Sequence, residues 1–170
     1  MASFLQRGLQ RRAAVAFLVA GIWIPALRAQ QAQVHLKPNL LQRYAKLDAQ
    51  AQRQTGHKRA ETLAQLADLD FTFANASYRQ HDLASGRRYL QQTAEQADEA
   101  CALLHAAALR GDKSGIKNVE KEIQKITFGL RGLDQAVDFS EQAEVGAAVD
   151  HFTNLNYELL QWLFAPKPSK

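Results

Sequence analysis

Five histidines and a single cysteine are the side chains best suited to hold a metal or attack a substrate, and their spacing decides whether they can. His35, His57, His81, His105 and His151 are dispersed. No two stand four apart, the offset that puts a zinc-binding pair on one helix face. The Glu-x-x-His pairs that hold di-iron in helical bundles are missing too: three residues before His81, His105 and His151 stand Tyr78, Ala102 and Ala148. A c-type haem attachment, C-x-x-C-H, needs a second cysteine, and the chain has one. The expectation is a chain without cofactor or metal.

Cys101 and His105 are four apart, one turn of helix, where an imidazole can activate a thiolate. The competing expectation is that Cys101 packs as a small apolar residue at the margin of an Ala/Leu stripe. As a lone thiol, Cys101 is the candidate reactive group, able to pair between chains. The acid pairs Asp98–Glu99, Asp68/Asp70 and Glu141/Glu144 have the composition for acid–base work, but carboxylates of helical proteins belong first to solvated faces or to neighbouring lysines. Lys117 and Lys121 read as ordinary surface. There is no G-x-S-x-G and no phosphate-cradling glycine loop. Gly129 and Gly132 fall inside a helical stripe, as points of close packing or a bend. No catalytic residue is assigned, and the chain reads as a non-enzyme.

Tyr157, Trp162 and Phe164 crowd one short stretch together with Leu159, Leu160 and Leu163. That is more apolar surface than one helical stripe needs. The group either plugs the end of a bundle against the first helix or forms a docking surface. These three are the candidate partner-binding residues, and the expected partner is a protein.

The first 29 residues read as an address. Arg7, Arg11 and Arg12 make a basic start, Ala13–Leu27 is an uninterrupted apolar run, and Ala29 offers a small residue for cleavage before Gln30. The run is short of the ~20 residues needed to span a membrane, so stable insertion after cleavage is not expected. The implied destination is the bacterial periplasm or exterior. Those 29 residues hold four arginines and no acid, which leaves 17 basic against 17 acidic residues in the remainder. A neutral remainder lacks the concentrated cationic face that phosphate binding requires, so nucleic acid is excluded as a partner.

The elements that must carry these residues are helices. No proline occurs between Pro38 and Pro166, and Ala, Leu, Gln, Glu, Lys and Arg dominate. From Ile116, apolar residues recur at Val119, Ile123, Ile126, Leu130, Leu133 and Val137, steps of three and four that draw one stripe along a helix. A second stripe runs Val145, Ala148, Phe152, Leu155, Leu159, Trp162. A third, thinner one runs Leu83, Gly86, Leu90, Thr93, Ala97, Ala100, Leu104. A fourth runs Leu63, Ala67, Phe71, Ala74, Tyr78, with Leu66, Leu69 and Phe73 beside it, so that helix must pack on two neighbours. Of the inward positions only Thr93 and Cys101 are polar. Asn39 with Gln42 makes a capping box, Thr55-Gly56 ends or bends the first helix, Asp82, Asp112 or Ser114, and Ser140 cap later ones, and Gly111 stops one. Short links force antiparallel neighbours. The predicted architecture is all-α: an antiparallel up-and-down four-helix bundle with an additional shorter N-terminal helix, spanning residues 30–165, and a frayed tail at 166–170.

From Asn75 the chain reads N-x-x-Y-x-x-x-D-L-x-x-G-x-x-Y-L, which resembles the helix-turn-helix of a tetratricopeptide repeat over about residues 63–100, although no second copy follows at the family's 34-residue period. Residues 116–164 resemble the C-terminal helical pair of small exported bacterial proteins of unknown function. Both resemblances imply a helical interaction module and bring no catalytic residues. A bundle holding a non-covalent metal or cofactor in its core is the alternative.

Overall fold

Each stripe of three-and-four spacing becomes a helix. The computed structural model describes residues 38–166, so the signal-peptide reading of 1–29 and the tail after Pro166 lie outside the described residues. Within them are five α-helices and no strand: α1 (Pro38–Arg53), α2 (Gly56–Arg79), α3 (Leu83–Ala108), α4 (Ile116–Asp134) and α5 (Phe139–Phe164). Among the described residues no helix is long and apolar enough to cross a membrane.

The stripes point inward. Val119, Ile123, Ile126 and Leu130 of α4 and Val145, Phe152 and Leu159 of α5 are fully buried, as are Ala97, Ala100 and Leu104 of α3. The α2 helix is buried over a wide arc because it packs on three neighbours, α1, α3 and α4. Contacting residues fix the directions. Thr62 meets Gln54 and Asp70 meets Tyr44, so α1 and α2 run antiparallel, and Thr55-Gly56 is a reversal rather than a bend. Arg59 pairs with Glu99, and Tyr78 lies against Gly86, so α2 and α3 are antiparallel. Across the two hairpins the sense is parallel: Asp68 meets Lys125 and Phe71 meets Gly129 between α2 and α4, while Arg87 meets Glu141 and Asp98 meets His151 between α3 and α5. The α1 helix packs mainly on α2, reaches α3 through Tyr44 and Gln96, and of its own residues buries Leu47 and Ala51.

The caps differ in part from expectation. The first helix begins at Pro38, so Asn39 is inside it and makes no capping box; proline suits a first turn, where its missing N–H is no loss. Ser140 is likewise inside α5, behind Asp138 at the N-cap. Asp82 does cap α3, its Oδ1 accepting from the Ser85 amide at 3.1 Å. The α4 helix starts late, at Ile116, behind Gly115, whose φ of +81° only glycine adopts without strain. The side chain of Asp112 instead organises the preceding turn, accepting from the Ser114 amide at 2.9 Å, a bond that also holds the Asp112 carboxyl below its ordinary range. Gly129 faces Phe71 so closely that a β-carbon there would stand 2.7 Å from the ring Cζ, whereas Gly132 has nothing within 4 Å. Only Gly129 is a point of close packing.

Candidate functional site

A groove of about 550 Å³ has α4 and α5 as its walls. The α4 wall carries Lys121, Glu122, Gln124, Phe128 and Arg131, and the α5 wall carries Thr153 and Asn156. Phe128 stands two residues off the buried stripe of α4, and two residues along a helix turn a side chain away from the core. Its ring is accordingly 80 % exposed. Thr153 leads by steps of four and seven to Tyr157 and Phe164, so the α5 wall continues into two further aromatics, 63 % and 77 % exposed. The Oδ1 of Asn156 is a buried acceptor with no partner among the described residues. Lys125, which also borders the groove, is answered by Asp68 at 2.6 Å and Glu122 at 3.9 Å.

The structure separates the three aromatics grouped in the sequence. Tyr157 and Phe164 face outward on one side of α5. Trp162 is five residues from Tyr157, on the opposite side, stacked on His105 of α3 with ring centroids 4.8 Å apart and planes 12° from parallel. Trp162 thus packs against α3 and not against the first helix, as a plug there would require. Beside it Lys113 donates from Nζ to the carbonyl oxygens of Leu163 at 2.8 Å and Ala165 at 2.6 Å, satisfying two of the carbonyls that end α5. A smaller cleft, about 130 Å³, is lined here by His105, Leu109, Lys113, Trp162 and Pro166.

Cys101 is buried, and that burial, with Asp98 and Glu158 nearby, pushes its thiol up to about 12. A thiol so placed is a poor nucleophile. His105, which the spacing placed one turn away, gives its ring to Trp162. Of the acid pairs, Asp68 is ion-paired with Lys125, Glu99 with Arg59, and Glu141 and Glu144 with Arg87, while Asp98 Oδ1 is hydrogen-bonded to His151 Nε2 at 2.8 Å. The Glu141 carboxylate receives both Nε and Nη2 of Arg87, and this hydrogen bonding raises the guanidinium further. Among the described residues no three His, Cys, Asp or Glu come together as a metal cluster would.

Sequence reasoning singled out Asp70 as half of an acid pair but expected it on a solvated face, not in the interior. Thr93 is inward, as expected, and donates to the Tyr89 carbonyl, but Asp70 is also fully buried. Tyr44 of α1 donates to its Oδ2 at 3.4 Å and in turn accepts from Gln96 of α3 at 3.4 Å, while Asp70 Oδ1 has no partner among the described residues. Burial pushes the carboxyl up to about 7, against the hydrogen bonds from Gln96 and Tyr44 and the charge of Arg88, which hold it down. Burial, and then the charge of Asp70, raise the Tyr44 phenol in turn. At the far end of α2, burial and the charges of Glu144 and Glu141 push the Tyr78 hydroxyl up to about 12. Asp70 and Tyr78 are buried polar groups of α2, and Tyr78 borders a small cleft of about 40 Å³ with His81, Val137 and Glu141. Comparison with protein families, with curated proteins and with solved structures gives no match, so the reading of this chain rests on its own residues.

Proposed function

We propose that the protein is an exported, non-enzymatic helical module that binds another protein through the outer face of its α4–α5 hairpin. The observation that carries this is the exposure of Phe128 inside the groove and of Tyr157 and Phe164 farther along the side of α5 that carries Thr153 of its wall, since soluble chains seldom leave large apolar side chains in water without a use. Export is supported by the basic, apolar and small-residue order of residues 1–29, which points to the periplasm or exterior of a bacterium. The non-enzymatic half is supported by the buried, raised thiol of Cys101 and by the ion pairs that occupy Asp68, Glu99, Glu141 and Glu144. The scaffold we propose is an up-and-down bundle of α2–α5 with the shorter α1 alongside, favoured by the short links and by the antiparallel pairing within each hairpin. The hairpin of α2 and α3 is the part that resembles a tetratricopeptide repeat.

A photo-crosslinking amino acid at Tyr157, in the full chain expressed in its own cells, tests the reading. A discrete adduct with one protein is expected from position 157 and not from exposed Gln50 on α1. Equal labelling from both positions, or none, overturns it.

A further inference from the structure

Resting on that reading, we infer that the element recognised in the α4–α5 groove is an acidic amphipathic helix of the partner. Of the cations that border the groove, Lys125 is neutralised by Asp68 and Glu122, but Lys121 and Arg131 have no acidic partner among the described residues. They stand ten residues apart on α4, about 15 Å at 1.5 Å per residue. Phe128 lies between them, seven residues from Lys121 and three from Arg131, on the same side of the helix. The groove therefore presents positive, aromatic, positive in a line, with the methylene stems of both cations adding apolar wall.

The complement is a segment with carboxylates about 15 Å apart and apolar side chains between. A helix supplies that arrangement on one face, at residues ten apart with apolar positions three and seven after the first, because its rise matches that of α4. The chain's own leader does not complement the groove: residues 1–37 carry five basic residues and no acidic one. The Asn156 Oδ1 offers an acceptor at the groove wall to a polar hydrogen of the occupant.

The test uses the full protein and a fluorescent synthetic peptide of five turns, with Glu ten residues apart, Leu three and seven after the first Glu, and Ala and Gln elsewhere. A twin carries Lys in place of Glu. The acidic peptide is expected to bind saturably at one per chain, weakening as salt rises, with the twin roughly tenfold weaker or worse. Lys121→Glu/Arg131→Glu, both at exposed positions, should invert that preference. Absent or equal binding of the two peptides, or a preference that does not invert, overturns the acidic helix. A Tyr157 adduct that survives Lys121→Glu/Arg131→Glu overturns it too while leaving the binding module standing; no adduct in the unaltered chain removes the module itself. Self-association abolished by the same double change assigns the groove to a second copy and overturns the separate partner.

Discussion

Replacing Gly129 by alanine should destabilise the protein, while the same replacement three residues on, at Gly132, should stabilise it. Both glycines lie inside α4, where alanine is favoured over glycine by about 1 kcal/mol. At Gly132 nothing opposes that gain, since a β-carbon would have no neighbour within 4 Å. At Gly129 the new methyl would stand 2.7 Å from Cζ of Phe71 and nearer still to its Cε1. Ordinary carbon contact needs close to 4 Å, so the ring must move by about 1 Å. Phe71 is 8 % exposed and packed into the main core, so its movement disturbs α2 as well. Overpacking of this kind costs about 1–3 kcal/mol, which outweighs the helix-propensity gain. The expected outcome is a loss of about 1–2 kcal/mol for Gly129→Ala and a gain of about 0.5–1 kcal/mol for Gly132→Ala. At about 4 °C per kcal/mol the two proteins should melt well apart. Urea unfolding followed by far-UV circular dichroism measures both. Phe71→Leu added to Gly129→Ala should recover part of the loss, a non-additivity that reports the contact directly. If Gly129→Ala proves as stable as Gly132→Ala, the close approach of α2 and α4 is wrong.

Asp70 makes stability depend on pH with a defined sign. Its folded carboxyl is raised to about 7, so the penalty for ionising it is absent below the unfolded value, near ~4, and is complete above the folded value. Stability should therefore fall as pH rises across that window, and Asp70→Asn should abolish the fall and stabilise the protein at alkaline pH; an unchanged pH profile in the variant refutes this. The Cys101 thiol, buried and pushed up to about 12, should resist a disulfide reagent at mildly alkaline pH until urea unfolds the chain, and rapid labelling of the native protein would contradict its placement. His81 holds a φ of +58°, a left-handed backbone that disfavours side chains, so His81→Gly should raise stability by about 0.5–1 kcal/mol in the same urea assay, and a loss would refute the strain.

Periodicity made the helices legible. An apolar residue every three or four positions is what a rod with one dry side requires, and Ile116 to Leu133 and Val145 to Leu159 lie buried as that spacing demands. Helix ends were harder to read, because several residues near each end compete to cap it. Asn39 and Ser140 have the right chemistry, yet Pro38 and Phe139 already belong to helices. Asp70 was hidden for a different reason. A helix with neighbours on three sides keeps only a narrow solvated side, here Lys58, Thr72 and Arg79, so residues between stripes become interior as well. The outer groove was partly legible. Phe128 falls between Ile126 and Leu130 of the stripe, and an apolar residue off the stripe points to water. Tyr157 and Trp162 look like one cluster in the linear chain, but five residues carry the helix to its other side. The unpaired state of Lys121 had no local signal at all, because what distinguishes it from Lys125 is the position of Asp68 on another helix.

The attachment of α1, mainly to α2 and to α3 through Tyr44 and Gln96, gives the molecule one soft end. A force applied from the amino-terminal side, as when a chain is threaded through a narrow pore, meets α1 first and strips it away without disturbing any packing among the other four helices. A force applied from the opposite side must first break the Lys113 anchor and then pull α5 from α3 and α4 together. Unravelling from the front therefore proceeds in steps, beginning with a short and weakly held rod, whereas from the back it must break the core in a single event.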